Sequence, residues 1–344
     1  MIAYGMTELN VLYAFDNNYA PFGGTSILSL LMNNKGIDRI RIFVVLDSVS
    51  EENVIKLKKM VEEYKRELIT FDAANINELL KKLNVPMYRG SYATHYRKFF
   101  HLFLPEDVEK LLYIDSDSIV PGNLEELINL DFKGRCIAVV LDALGGKYKK
   151  LLGFADCEPY FNAGVTYIDV KKWKERDYAN RLISYIQNVR SKFCNPDQDL
   201  FNQVVKGDTL VIGPEYNFQP VHRVYTDKVF FKNYPQAYYY STQELEHARQ
   251  HPMIIHAYRY LGEFPWHEGN LHPDTPMFDL YLRQSEWADY TKKPSGKGKM
   301  FKIEKKMYTF LPRPMFLKIF KYALYFSMYK KDKRLKRECK KTGN

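Results

Sequence analysis

Short apolar runs alternate with amphipathic segments over most of the chain. Residues 9–15 (LNVLYAF) form a short apolar run of strand length, residues 39–46 (RIRIFVVL) form a second predicted strand, and residues 25–32 between them have the pattern of a helix. Residues 50–68 begin with a serine that suits an N-cap and with two glutamates in the first turn, so we predict a second helix there. Strands that alternate with helices in this way indicate βαβ units.

The same alternation continues to about residue 212. Residues 110–114 and 136–141 are further apolar runs of strand length. Residues 92–104 and 171–189 have the composition of two more helices, and the first of these ends before a proline. The sequence therefore predicts an α/β fold with a Rossmann-like, mostly parallel sheet flanked by helices.

Composition places the chain among globular proteins. It has 344 residues, of which 46% are hydrophobic and 27% are charged, and these values exclude the disordered and fibrous classes. Its four cysteines have no close pairing, which excludes a disulfide scaffold and a Cys-rich zinc module. The chain has no run of about 18 apolar residues and no signal-peptide pattern, so we expect a cytoplasmic protein without a membrane-spanning helix.

The net charge of +10 is concentrated at the C-terminal end. Residues 292–344 hold 18 Lys and Arg against 3 Asp and Glu, which leaves residues 1–291 mildly acidic. Residues 292–300 have the composition of a flexible linker, residues 315–329 are aromatic and apolar, and residues 330–341 are densely basic. We expect a basic amphipathic helical extension that attaches to an anionic membrane. The alternatives are a helix packed on the protein's own body and a nucleic-acid contact. Because no recognised nucleic-acid motif occurs, we expect no nucleic-acid partner.

Acidic and amide side chains follow several of the predicted strands, where open α/β sheets bind ligands. They are Asp16, Asn18, Asp115, Asp117 and Asp142. Asp115 and Asp117 lie two residues apart in an extended segment, so both carboxylates can face one Mg²⁺ or Mn²⁺ ion. An isolated Asp-X-Asp is more often a solvated turn, but the apolar strand before this one favours a metal site. The chain has neither a dinucleotide-binding glycine fingerprint nor a P-loop, so a bound phosphate would need a metal for its neutralisation.

Six motifs in one fixed order resemble those of the retaining glycosyltransferases of family 8, which have a GT-A fold. Each motif alone is weak, whereas the ordered set over residues 8–270 is specific. The motifs are YAFDNNY at 13–19, ATHYR at 93–97, LYIDSD at 112–117, YFNAGV at 160–165 followed by KKW at 171–173, NPDQD at 195–199, and IHAYRYLGEFPW at 255–266.

The resemblance implies transfer of a hexose from a nucleotide donor, usually a UDP-sugar, with retention at the anomeric carbon and with Mn²⁺ (Mg²⁺ is the alternative) as cofactor. It also implies a role for each matching residue. Asp115, Asp117 and His256 would hold the metal; Ala14, Asp16 and Asn18 would contact the uridine; Arg97, Asn162, Asp197 and Gln198 would contact the donor sugar; and Gly262 belongs to the loop at the diphosphate.

One position departs from the family pattern. The family usually places Lys or Arg directly before the Pro-Trp of the last motif, where this chain has Phe264. Arg259 in the same loop can supply the missing positive charge at the diphosphate, and His267 lies close in sequence. The departure concerns the diphosphate contact and leaves the metal motif intact.

Retention leaves two chemical routes open at the sequence level. A double displacement needs a carboxylate nucleophile below the sugar, and Gln198 and Asp199 are the nearest candidates by motif. An amide is a poor nucleophile, and Asp199 can equally be a residue that supports the start of a helix. A front-face route, in which the acceptor attacks on the leaving-group side, needs no such nucleophile.

We therefore expect a hexosyltransferase that builds a bacterial surface polysaccharide at the inner face of the cell membrane, with a glycan or a lipid-linked acceptor. The expected division is a catalytic domain over residues 1–275 and the basic aromatic region over residues 276–344. The competing hypothesis is a nucleotide-sugar or glycan-binding scaffold that has lost catalysis, for which Phe264 is the main support.

Overall fold

A central sheet and a surrounding set of helices account for most of the chain. The computed structural model describes residues 6–85, 87, 91–146, 148–188 and 196–341. Its strands are β1 (Glu8–Asp16), β2 (Arg39–Asp47), β3 (Glu67–Asp72), β4 (Lys110–Ile114), β5 (Ser118–Ile119), β6 (Ile137–Leu141), β7 (Phe161–Asp169), β8 (Thr209–Val211) and β9 (Ile255–His256). Its helices are α1 (Ala20–Asn33), α2 (Glu51–Glu63), α3 (Ala73–Lys82), α4 (Ala93–Tyr96), α5 (Glu125–Ile128), α6 (Val170–Glu175), α7 (Tyr178–Asn188), α8 (Pro196–Val204), α9 (Pro220–Val224), α10 (Asp227–Asn233), α11 (Thr242–Gln250), α12 (Thr275–Leu282), α13 (Lys299–Phe310) and α14 (Arg313–Lys341).

The main sheet has seven strands in the order β3-β2-β1-β4-β7-β6-β8. Neighbouring strands are parallel except at β7, which runs antiparallel to β4 and to β6. The prediction of an α/β fold with a mostly parallel sheet is confirmed. A separate antiparallel pair, β5 with β9, sets Ser118 opposite His256. This pairing brings the segment after β4 next to a segment about 140 residues further along the chain.

Helices cover both faces of the sheet. On one face, Leu30 and Leu57 from α1 and α2 are buried in a core that also contains alternate residues of β1, from Leu9 to Phe15. On the other face, Trp173 from α6 lies in a second core with residues of β4 and β6. Phe278 of α12 and the following Trp287 belong to the first core, since α12 packs on α1.

The helix predicted over residues 92–104 is wrong beyond its first turn. Only α4 is α-helical, and a short 3-10 turn follows at Phe100–Leu102. The carbonyl of Thr94 accepts hydrogen bonds from Arg97 Nε and Lys98 Nζ, both at 3.1 Å. This carbonyl therefore accepts from two side chains instead of from the backbone N–H of a continuing helix. Both side chains, Arg97 and Lys98, are buried in the body of the protein.

The continuous helix predicted over residues 171–189 is also wrong, because the helix is interrupted between α6 and α7. Residue 189 lies outside the described part of the chain. Asp177 at the break has a left-handed backbone, with φ of 52°. On either side of it, Arg176 forms an ion pair with Asp208 and Tyr178 donates to the same carboxylate at 2.6 Å. Two bonds to one half-buried acceptor fix the break, which periodicity cannot detect.

The C-terminal region packs on the body through both of its helices. Lys305 of α13 pairs with Glu263 at 2.9 Å, and Phe316 and Leu317 of α14 are buried. The linker predicted at residues 292–300 is wrong at its start, because Lys292 Nζ pairs with Asp279 at 2.7 Å and the carbonyl of Lys293 accepts from Glu268 N at 3.0 Å. Within the described part of the chain, no helix combines the length and the apolar character that crossing a membrane requires.

Candidate functional site

A cleft of about 560 Å³ opens at the edge of the sheet where β1 and β4 end and the antiparallel β7 begins. Ten of the twelve predicted site residues line it: Ala14, Asp16, Arg97, Asp115, Asp117, Asn162, Asp197, Gln198, His256 and Arg259. The two others lie outside its lining. Asn18 is exposed in the turn after β1, and Gly262 faces α13, where an added Cβ would lie 2.3 Å from the ring of Phe301.

Asp115, Asp117 and His256 bring one ligand atom each to within 4.8 Å of one another. His256 Nε2 lies 3.2 Å from Asp117 Oδ1 and 3.7 Å from Asp115 Oδ2. The geometry follows from the fold, because β4 delivers the two carboxylates and the pairing of β5 with β9 delivers the imidazole. Two carboxylates and one imidazole form a donor set that suits a divalent cation such as Mn²⁺.

The second ring nitrogen of His256 is held by two amides. Nδ1 lies 3.1 Å from Asn162 Oδ1 and 3.1 Å from Asn217 Oδ1. Both oxygens are hydrogen-bond acceptors, so Nδ1 is the nitrogen that donates to them, and Nε2, which faces the carboxylates, is the nitrogen that can offer its lone pair to a cation. This is the orientation that a metal-ligating histidine requires.

Two residues beside the His256 ring, Gly164 and Asn217, allow the ring to take its position. Gly164 leaves room for the imidazole, since an added Cβ would lie 2.0 Å from Cε1 of His256. Asn217 ends a 3-10 turn in an aromatic-rich segment without clear periodicity, and no motif in the sequence indicated its role. Sequence reasoning missed it for that reason.

Burial and mutual charge perturb the titration of the three candidate ligands. Burial raises the pKa of Asp115, and the nearby carboxylate of Asp117 raises it further, against the lowering effect of Arg97. Burial also opposes ionisation of Asp117, but His256 holds the pKa of that carboxyl below its usual range. For His256, burial lowers the pKa and Asp117 more than compensates, so the net shift is upward. The cluster concentrates negative charge in a buried place, which favours a bound cation.

Arg97 connects the candidate metal ligands to the candidate donor-sugar residues. Its buried guanidinium lies 3.3 Å from Asp115 and 3.1 Å from Asp197, and it covers the ring of Tyr113 at 4.5 Å. The adjacent Lys98 is also buried and donates to the backbone carbonyl of Asp197 at 3.4 Å. Burial lowers the pKa of Lys98 to about 7. Sequence reasoning missed Lys98, because nothing in the pattern shows that the helix stops and turns it inward.

A hydrogen-bond network fixes the amide of Gln198 in the cleft. Its Nε2 donates to Tyr160 Oη at 3.0 Å and lies 3.3 Å from Asp142 Oδ2, while its Oε1 accepts from Ala163 N at 3.2 Å. Tyr160 in turn donates to Asp199 Oδ1 at 2.6 Å, and Tyr148 donates to the other oxygen of Asp199. Both oxygens of the fully buried Asp199 therefore hold phenol hydroxyls, which is the arrangement of a supporting residue.

Arg259 lies over the face of Phe264 in the cleft wall. The guanidinium carbon is 4.7 Å from the ring centroid, and the ring stacks on Trp266 with centroids 4.4 Å apart. Within the described residues, Arg259 Nε is buried without a hydrogen-bond partner. The aromatic side chain at position 264 thus supports a cation in the same wall of the cleft.

Two lipopolysaccharide glycosyltransferases are similar to this chain in sequence. A lipopolysaccharide 1,2-glucosyltransferase of Escherichia coli is 29% identical over 285 residues, which cover 82% of this chain and 79% of that protein. A lipopolysaccharide 1,3-galactosyltransferase of Salmonella typhimurium is 23% identical, with 82% and 80% of the two chains covered.

Two solved structures share the fold. The galactosyltransferase LgtC, in complex with donor and acceptor sugar analogs, superposes with a TM-score of 0.65 at 21% identity, over 81% of this chain and 96% of that one. The bifunctional glycosyltransferase WbbM gives a TM-score of 0.68 at 23% identity, and this chain spans about half of its length, with 83% of this chain and 51% of that one covered. The fold is therefore GT-A. The sequence profile of glycosyl transferase family 8 matches residues 10–269, and the chain belongs to that family.

Proposed function

We propose that this glycosyltransferase moves a hexose from a UDP-sugar to a hydroxyl of a glycan acceptor, with a divalent metal and with retention of configuration. The observation that carries the proposal is the convergence of Asp115, Asp117 and His256, with the imidazole already oriented by two amides. Mn²⁺ is the proposed ion and Mg²⁺ the alternative. When bound, such an ion neutralises the charge that develops on a diphosphate leaving group.

The residues around the metal site divide between the two ends of the donor. Asp16 closes the turn after β1 by accepting from the backbone N–H groups of Asn18 and Tyr19 at 2.9 and 3.0 Å, which shapes the proposed uridine site beside Ala14. Arg259, held over Phe264, is the proposed protein cation for the diphosphate.

In this proposal the donor sugar lies in the part of the cleft that is lined by Arg97, Asn162, Asp197 and Gln198. The proposed route is the front-face one, supported by the environment of Asp199. Its carboxylate is buried and both of its oxygens accept from tyrosines, so it is a poor nucleophile.

A surface role for the C-terminal helix completes the proposal. Five side chains of α14, spaced by four and three residues, fall on one helix face and are each at least 40% exposed: Met315, Ile319, Tyr322, Phe326 and Tyr329. Lys318 and Lys330 lie beside this outer stripe. We propose that the stripe rests on the anionic inner face of the cell membrane. The acceptor is then a lipid-linked glycan, and the names of the lipopolysaccharide relatives favour a bacterial surface polysaccharide as the product.

Release of UDP from a panel of UDP-sugars without acceptor tests the reaction. We expect Mn²⁺-dependent release from one or a few UDP-hexoses and loss of release in excess EDTA. Full activity in EDTA would refute the metal role. Binding of UDP by calorimetry, with no release from any donor even when glycan acceptors are supplied, would instead favour a binding scaffold and would point to Phe264 as the cause.

A further inference from the structure

The C-terminal helix α14 is docked on the body by the side opposite its outer stripe. Leu317 is fully buried among Val221, Tyr225 and Phe230, and Phe316 is buried against the loop at Tyr260. Further along the same side, Met328 packs against a cluster that contains Tyr148 and Tyr160. The inner face of α14 therefore continues from the core to the catalytic cleft.

Two residues of this inner face form part of the cleft itself. Leu324 and Met328 are half-buried and line the cleft together with Leu144 and Tyr148. The same four residues also line a shallow side pocket of about 40 Å³, whose other walls include Tyr234 and Pro235. The wall that α14 supplies is thus apolar, whereas the floor is built from Asp115, Asp117, Arg97 and His256.

Resting on the proposed function, we propose that this apolar wall is an acceptor subsite that takes the first carbons of an apolar aglycone next to the acceptor sugar. A nucleotide-sugar donor has no apolar group to place there, whereas a lipid-linked acceptor has one. Lys321 also lines the side pocket, and its Nζ lies 5.3 Å from the ring centroid of Tyr322, so this cation stands between the side pocket and the outer stripe. Since the outer stripe lies on the opposite side of α14, one helix both meets the membrane and receives the acceptor from it.

A pair of glycosides that differ only in the aglycone tests the subsite. Methyl and n-octyl β-D-glucosides and β-D-galactosides are added, below the micelle concentration, to the full-length protein with Mn²⁺ and the donor that it turns over. The measured quantity is the concentration that half-maximally changes UDP release, upward for an acceptor or downward for an inhibitor. A buried methylene contributes about fourfold in affinity, so two to three buried carbons predict a preference for the octyl compound of at least about tenfold.

Variants then assign the preference to the inner face of α14. We expect Leu324→Ala/Met328→Ala to reduce the octyl-to-methyl ratio to below about threefold, and Leu324→Trp, which fills the side pocket, to do the same if the double variant does not fold. Leu280→Ala/Met300→Ala changes the same residue types at exposed positions on α12 and α13 and keeps the full ratio.

Equal half-effect concentrations for methyl and octyl compounds in the wild-type protein would overturn the proposal. No effect of either compound, or an octyl preference that survives both inner-face changes, would overturn it as well. Absence of any acceptor-free, metal-dependent UDP release is a different result, because it would refute the proposed function before the glycosides are added.

Discussion

The floor and the C-terminal wall of the cleft are built on different principles. The floor is made of charged and amide side chains at strand ends, and each is held by neighbours, as Arg97 is by Asp115 and Asp197. The wall is one face of α14, a helix whose other face exposes Tyr322 and Phe326. The floor is suited to holding a metal ion and the donor in fixed positions, and the wall is suited to receiving the proposed acceptor.

The comparison teaches where each part of the function resides. The proposed chemistry requires a rigid arrangement, and its residues lie at strand ends: Asp115 follows β4, and the separate pairing of β5 with β9 places His256 beside it. The proposed acceptor and membrane contacts sit on α14, which lies outside the sheet. Substitutions in the two regions are therefore expected to affect different measured quantities.

The largest effect is expected at the floor. Asp117→Asn removes one candidate ligand charge with little change of shape, and we expect Mn²⁺-dependent UDP release to fall at least about 100-fold, since loss of outer-shell partners alone costs about 10–100-fold. Steady-state UDP release at saturating Mn²⁺ measures it. Asp289→Ala, at an exposed position, is the matched control. Activity within tenfold of wild type in a folded variant would remove Asp117 from the metal site.

A smaller effect is expected for Asn217, which contacts a candidate metal ligand and is not itself one. Asn217→Ala leaves all three candidate ligands in place but removes one of the two oxygens that orient His256 Nδ1. We expect the Mn²⁺ concentration for half-maximal activity to rise about 10–100-fold. The exposed Asn123→Ala serves as control. An unchanged Mn²⁺ requirement would show that Asn162 alone orients the ring.

Asp199→Asn distinguishes a supporting residue from a nucleophile. The amide weakens the bonds from Tyr148 and Tyr160, so the position of Gln198 loosens and kcat is expected to fall about tenfold, as for one charge-assisted hydrogen bond. Single-turnover kinetics with the active donor measures it. A folded variant with turnover reduced more than about 1,000-fold would instead favour the double-displacement route.

The smallest effect is expected at the surface of α14. Lys318→Gln removes one exposed charge beside the outer stripe, and we expect partitioning onto vesicles that contain anionic lipid to fall about fivefold at low salt. Sedimentation with the vesicles measures this, and Lys58→Gln on α2 is the matched control. Equal partitioning of both variants would show that α14 does not face the membrane.

Much of the fold and of the floor could be predicted from the sequence, because both depend on local patterns. Strands such as β1 and β2 contain short, mostly apolar runs, and the Asp115–Asp117 pair follows β4 directly. The placement of His256 beside them came from the family resemblance, because a contact between residues so far apart in sequence is set by strand pairing.

What could not be predicted depends on tertiary contacts. The break at Asp177 is fixed by two bonds to Asp208, which lies outside the local pattern. Asn217 acquires its role only when its turn packs under His256. Membrane attachment through residues 315–329 stays a prediction. Leu324 and Met328 could not be distinguished from Tyr322 and Phe326 before the docked face of α14 was known.

Calorimetric titration of UDP into the full-length protein tests the central claim most directly, because it needs neither an acceptor nor turnover. If the Asp115–Asp117–His256 cluster holds a metal that binds the diphosphate, UDP should bind at least about tenfold more tightly in Mn²⁺ than in EDTA, and Asp117→Asn should abolish that difference. Equal affinity in Mn²⁺ and in EDTA for the wild-type protein would contradict the account.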